Sequence, residues 1–181
     1  MSCVWEDWKM INFIASADLH IHSKIPKNRK GNYFGQSITK FTYLLKFAKD
    51  YCDRQAVLVV AGDFFDSSTV PYKVTNMVID LLIKNNVKLL VVPGQHDLRY
   101  HVSGLDNTPL GTLDTCKLVT ILGPKEPIEV NGVTFIGAGW DEEPEEKADV
   151  LVMHRMITKK GELWPGQTNY SSAHAIMRKY P

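Results

Sequence analysis

Ala56-Val57-Leu58-Val59-Val60-Ala61-Gly62-Asp63-Phe64-Phe65-Asp66 is the stretch on which the fold turns. Its first six residues are apolar without interruption and have the length of a strand. A strand with one wet face alternates apolar and polar residues. An unbroken run suits a strand covered on both faces, as in sheets flanked by other layers. The run ends abruptly at Gly62-Asp63, where core-forming side chains give way to carboxylates.

Working outward, two helical patterns flank this strand. Upstream, Phe41, Leu44, Leu45 and Ala48 share one face and predict a helix over about 37–51, with Ser37 as its N-cap. Downstream, Val74, Met77, Val78, Leu81 and Leu82 form the core stripe of a helix over about 71–85, with Pro71 tolerated in the first turn. Met10-Ile11-Asn12-Phe13-Ile14-Ala15 reads as an earlier strand and residues 87–92 as a later one. This strand–helix–strand–helix–strand order implies a layered α/β domain with right-handed crossovers.

The later sequence changes character. Asn131-Gly132, between Ile128-Glu129-Val130 and Val133-Thr134-Phe135-Ile136, signals a hairpin. An acidic loop over 141–146 leads to a strand over 149–153, and 171–180 reads as a short helix. Residues 17–35 read as a polar loop carrying Lys24, Lys27, Arg29 and Lys30. Residues 1–9 fit no pattern and are assigned to a tail or upstream extension, leaving 10–181 as the domain.

A chain of 181 residues is long enough for one domain with a real core. Hydrophobic content of 44% and charged content of 23% are ordinary for a globular protein. A net charge of +1 argues neither for nor against a polyanionic partner. Cys3, Cys52 and Cys116 are sparse and lack Cys-x-x-Cys spacing, which suits a reducing compartment. No apolar run approaches the ~18 residues of a membrane span, and the first residues lack a signal-peptide pattern. The expectation is a cytoplasmic protein without membrane association.

The chemistry sits at strand ends. Asp18 and His20 follow the first strand, Asp63 and Asp66 the second, Gln95 and His96 the third, and His154 the last. Singly, each is ordinary: Gly-Asp after a strand is usually a turn, and a strand-end histidine is usually a surface or satisfied core residue. In open α/β sheets, however, sites gather at the carboxyl ends of strands. Oxygen and nitrogen donors delivered in order to one rim are hard to explain as turn chemistry. Two cations held about 3.5–4 Å apart clamp a phosphate and acidify a bridging water. One carboxylate must bridge such a pair, and Asp63 is the natural choice. Mixed carboxylate and imidazole donors suit manganese, iron or zinc rather than calcium. The lack of a thiolate argues against a structural zinc site. His96 is placed to give a proton to a leaving oxygen.

Asp18-Leu19-His20, Gly62-Asp63-Phe64-Phe65-Asp66, Gly94-Gln95-His96-Asp97 and His154 resemble the first four motifs of calcineurin-like metallophosphoesterases. The stretch from Ala61 to Ser68, followed by Val70-Pro71 and a helix, is most similar to SbcD-type DNA repair nucleases. The resemblance implies a layered sheet sandwich flanked by helices. It also implies a first metal on Asp18, His20 and Asp63, and a second on Asp63, Gln95 and His154. His96 would protonate the leaving group, and Asp66 would either orient His96 or another ligand or serve as a helix cap or loop residue. Mn2+ is the metal implied, with Fe2+ and Zn2+ as alternatives. DNA, an SMC-like ATPase and a second copy of the chain are the partners implied.

Two departures stand out. The family places asparagine where this chain has Gln95. Its closing Gly-His-x-His motif is not found between His154 and Pro181, so the domain is expected to be C-terminally incomplete. Two other activities remain open: a phosphomonoesterase or small-molecule phosphodiesterase, and an inactive phosphate- or DNA-binding module.

Around these motifs, Lys27, Arg29 and Arg99 are candidates to guide a phosphate backbone, although charge runs are often solvated loops. Tyr33 and Phe34 either stack on a base or anchor their loop, and anchoring is the better expectation. His22 and His101 read as exposed loop residues, His174 as a structural helix residue, and 141–146 as a solvated turn.

Overall fold

The computed structural model describes residues 12–24, 31–52, 54–101, 104–159 and 170–180. A parallel sheet is built in chain order from β1 (Ile14–Ala17), β2 (Val57–Ala61), β3 (Lys88–Val92) and β4 (Val119–Ile121). Helix α1 (Tyr33–Tyr51) connects β1 to β2, α2 (Tyr72–Asn85) connects β2 to β3, and α3 (Pro109–Thr115) precedes β4. A second sheet contains β5 (Ile128–Val130), β6 (Val133–Ala138) and β7 (Val150–Met153). Its first two strands form an antiparallel hairpin, and β7 runs parallel to β6. The short strands β8 (Ile157–Thr158) and β9 (Ser171–Ser172) pair before helix α4 (Ala173–Lys179).

The unbroken apolar run of β2 is explained by two cores. Leu58 and Val60 belong to a cluster with Phe41, Leu45 and Ala48 of α1 and Val74, Val78 and Leu82 of α2. Val57 and Val59 join Leu90 and Val92 of β3 and Leu122, just past β4, against Val130, Phe135 and Val152 of the second sheet. Successive side chains of one strand therefore enter different layers. The result is helices, parallel sheet and second sheet in sequence, the layered α/β sandwich expected. Each such side chain contributes about 1.5–3 kcal/mol when fully buried.

Element boundaries depart from expectation for identifiable reasons. Helix α1 begins at Tyr33, not Ser37, because Asn32 Oδ1 accepts from Gly35 N at 2.9 Å and caps it earlier. The first strand lies at Ile14–Ala17, later than expected, while Met10 and Ile11 fall outside the described residues. The sequence pattern predicts neither helix α3 nor strand β4. Yet Thr108-Pro109 is a start signal: Thr108 Oγ1 accepts from Gly111 N at 3.0 Å with Pro109 in the first turn. The Asn131-Gly132 turn does take left-handed backbone at both residues, with φ of 56° and 79°. The expected helix over 171–180 starts two residues late, because Ser171 and Ser172 pair as β9. Among the described residues, no helix is long and apolar enough to cross a membrane.

Candidate metal centre

The loops leaving β1 and β2 continue to pair beyond their strands. Asp18 N donates to Gly62 O at 3.1 Å, His20 N to Asp63 O at 2.9 Å, and Ile21 N to Phe64 O at 3.0 Å. This zipper holds Asp18, His20 and Asp63 in left-handed backbone, with φ of 52°, 44° and 49°. That conformation costs an ordinary L-residue about 1–2 kcal/mol. Surrounding structure must impose it, and such positions cluster at functional sites.

Two glycines make close approach feasible. A Cβ on Gly94 would collide with the backbone N and the carboxylate of Asp63. A Cβ on Gly62 would collide with the imidazole of His154. The glycines of the second and third motifs are thus needed so that three strand ends can meet.

Asp97 locks the same loops from beneath. It is fully buried, and its carboxylate accepts from Phe64 N at 3.0 Å, Phe65 N at 2.8 Å and Gly94 N at 3.0 Å. Burial pushes its carboxyl above the ordinary 3.8 despite these three donors. Nothing in the sequence pattern gives Asp97 this task. Its position directly after His96 was visible, but the three converging N–H groups were not.

Asp63 is the centre of the cluster. Its Oδ1 accepts from His96 N at 3.0 Å. Its Oδ2 faces three imidazoles, 3.7 Å from His20 Nε2, 3.9 Å from His96 Nε2 and 3.5 Å from His154 Nε2. Burial by itself raises the Asp63 carboxyl. The His154 contact, the His96 N–H and the charges of both imidazoles outweigh burial and hold it below 3.8. His154 is raised above 6.5 by the Asp63 carboxylate, against the opposing effect of burial.

His154 Nδ1–H donates to Ala61 O at 3.1 Å, and Nε2 lies 2.8 Å from Gln95 Oε1. The separation from Asp63 Oδ2 is an ion-pair distance rather than a second short hydrogen bond. When His154 is neutral, the Ala61 bond fixes the tautomer that leaves Nε2 free to ligate. Gln95 reaches the cluster despite its extra methylene.

His96 Nδ1 bonds the backbone carbonyl of Asp66 at 2.9 Å, which turns Nε2 toward Asp63. The Asp66 carboxylate instead lies 3.4 Å from His20 Nδ1, a buried nitrogen that makes no hydrogen bond of good geometry. Asp66 therefore contacts two histidines, one through its backbone and one through its side chain. It does not cap α2, which Pro71 precedes.

The donor atoms fall into two groups, His20–Asp63–His96 and Asp18–Asp63–His154, each within 4.8 Å. Asp63 is common to both, as a bridging carboxylate requires. His20 Nε2 also lies 3.9 Å from Asp18 Oδ1 and 3.7 Å from Asp63 Oδ2, so Asp18, His20 and Asp63 meet as well. The donor chemistry fits divalent cations: carboxylate and imidazole converge, and among the described residues only histidines lie within ion-pair distance of Asp63.

Of the remaining expectations, Arg99 is exposed on a turn two residues after Asp97, its guanidinium 5.4 Å from the Tyr100 ring centre. Lys27 and Arg29 lie outside the described residues. His22 is not exposed; it is buried with its ring 5.1 Å from that of Tyr33. Phe34 packs on the core, as an anchor should. His174 is exposed rather than structural. The acidic turn is not merely solvated, because Glu143 pairs with Arg155 at 2.6 Å and Lys179 at 2.9 Å.

No curated protein matches the chain. The sequence profile of the calcineurin-like phosphoesterases matches residues 11–177, a span that contains every donor of the cluster. The chain belongs to the calcineurin-like phosphoesterase family.

Proposed function

We propose that this phosphoesterase is a two-metal phosphodiesterase acting on DNA, with manganese as the preferred ion. The carrying observation is the position of Asp63 Oδ2 within 3.9 Å of three imidazoles from three different loops. Asp18, His20, Asp63, Gln95 and His154 would hold the ions. Two divalent cations, when bound, supply charge for the phosphate and acidify a water.

The chain's own contribution is positional. Asp97 fixes the loops after β2 and β3, and the Asp66 carbonyl orients His96. With Nδ1–H held by that carbonyl, a protonated Nε2 is the group that hands a proton to the departing oxygen. Arg99, on the exposed turn beside the third motif, would meet the phosphate backbone, and Lys27 and Arg29 would extend that contact.

A specific observation favours a second role for His96, as a ligand grouped with His20 and Asp63. One variant separates the two. If His96 is the acid, His96→Ala lowers cleavage of DNA about 10²- to 10⁴-fold, has far less effect on a p-nitrophenyl diester, whose leaving group needs no proton, and keeps stoichiometric manganese. Loss of manganese in that variant would make His96 a ligand. Comparison of linear DNA, a nitrophenyl diester and a nucleotide monoester tests the substrate class. Turnover of the monoester alone would overturn the diesterase reading.

A further inference from the structure

Beside the metal centre lies a second feature that none of the motifs accounts for. The β6 strand ends in a turn in which Glu142 N donates to Gly139 O at 3.2 Å and Glu142 Oε2 accepts from Gly139 N at 2.9 Å. Asp141 takes left-handed backbone there, with φ of 63°. The turn presents Trp140 at the rim, its ring centre 6.2 Å from that of His154. Trp140, Tyr170 and Met156 wall a cavity of about 280 Å³, with Asp141, Glu143 and Arg155 completing the lining.

The charges define what this cavity accepts. Arg155 is already committed: Nη1 donates to Glu143 Oε1 at 2.6 Å and Ser171 Oγ at 3.1 Å, and Nη2 to Glu142 O at 2.6 Å. It ties the acidic turn to β9 and so fixes the cavity floor. With the guanidinium engaged by Glu143 and the Asp141 carboxylate also in the lining, the cavity is unsuited to another phosphate. Aromatic walls beside the Asp141 carboxylate suit a flat ring that carries N–H donors. The volume lies just below the range for small-molecule sites, about 300–1,000 Å³, so it accommodates one ring system rather than a whole nucleotide.

We propose that this cavity binds the nucleobase of a nucleotide whose phosphate lies at the metal centre, with Trp140 as the stacking surface. The assignment rests on the phosphodiesterase reading and adds a specificity site to it. Under manganese, the p-nitrophenyl phosphodiester of deoxyguanosine is compared with methyl p-nitrophenyl phosphate, which shares the leaving group and lacks a base. The nucleoside ester should have the higher kcat/KM, with the advantage in KM. Trp140→Ala should reduce that advantage about tenfold, within the range of one base–aromatic stack, and Trp140→Phe should retain most of it.

An independent readout is the indole N–H resonance of Trp140 during titration with deoxyguanosine monophosphate in EDTA. A shift without turnover of either ester supports the cavity while the diesterase reading fails. Equal kcat/KM for the two esters with an unmoved resonance overturns the cavity and leaves the diesterase standing. An unmoved resonance without turnover overturns both. If Trp140→Ala does not fold by circular dichroism, the wild-type ratio, the resonance and Trp140→Phe still decide.

Discussion

Asp97 and Glu143 are two carboxylates with three donors each, in different regions of the molecule, and they behave in opposite ways. Asp97 is sealed beneath the metal centre and accepts from three neutral backbone N–H groups. Glu143 sits on the exposed turn after β6 and accepts from Tyr180 Oη at 2.6 Å, Lys179 Nζ at 2.9 Å and Arg155 Nη1 at 2.6 Å. Burial raises the carboxyl of Asp97, whereas the Tyr180 hydroxyl and the Lys179 and Arg155 cations pull Glu143 down to about 2. The number of hydrogen bonds therefore does not set the acidity. The opposite holds for structural importance, because the perturbed but exposed acid is held in solvent that can replace its partners, while nothing replaces Asp97.

The sharpest way to break this comparison is Asp97→Ala. Three buried N–H groups would lose their acceptor, each at about 1–3 kcal/mol. Partial relaxation brings the expected total to roughly 3–5 kcal/mol. Urea unfolding should show that loss, and manganese affinity should fall with it because both ligand loops are released. A loss no larger than that of a surface substitution would show that the loops hold themselves.

A smaller effect comes from pH. The folded pKa of His154 lies above 6.5, so its contribution is complete below 6.5 and disappears as pH rises through the folded value. That of Asp63 lies below 3.8, so its contribution is complete above 3.8 and is lost as pH falls through the lowered value. Asp97 has a raised value and subtracts stability as pH climbs from 3.8. The protein in EDTA should thus be most stable in weak acid and weaken toward mildly basic pH. Manganese should reverse the trend, because ligation needs neutral His154 and strengthens as the imidazole loses its proton. Thermal melts across pH, with EDTA or manganese, check both signs. A melting temperature in EDTA that climbs steadily from about pH 5 to about pH 8 would contradict the assignment.

The smallest effect belongs to Glu143→Gln. Exposed ion pairs contribute about 0.2–1 kcal/mol, so the melting temperature should barely move, and 0.5 M salt should reduce even that difference. A loss comparable to that of Asp97→Ala would mean that the turn after β6 is as essential as the buried lock.

These two residues also mark how far the sequence could be read. The unbroken run of β2, the helical faces of α1 and α2 and the Asn131-Gly132 turn carry their physics locally, so the layered α/β order was legible. The strand-end donors were legible because order and spacing along the chain are what bring them to one rim. The task of Asp97 was not legible, since its partners at Phe64 and Phe65 lie more than thirty residues away. The burial of His22 depends on a helix that starts four residues earlier than its periodicity suggests, because the cap at Asn32 is a side-chain contact. The convergence of three imidazoles on Asp63 is set by the zipper between loops and by the glycine contacts, which no residue spacing expresses.

The left-handed backbone of Asp18, His20 and Asp63 also restricts what this site can become. Aspartate tolerates that conformation better than most side chains, and asparagine and glycine share the tolerance, whereas β-branched residues do not. The spectrum of substitutions that fold at 18 and 63 is therefore narrow before metal chemistry is considered at all. Asparagine at either position would keep the loop shape while removing a negative charge. The backbone thus offers a route to tune the charge of the cluster without rebuilding its scaffold, and it closes the route to threonine or valine.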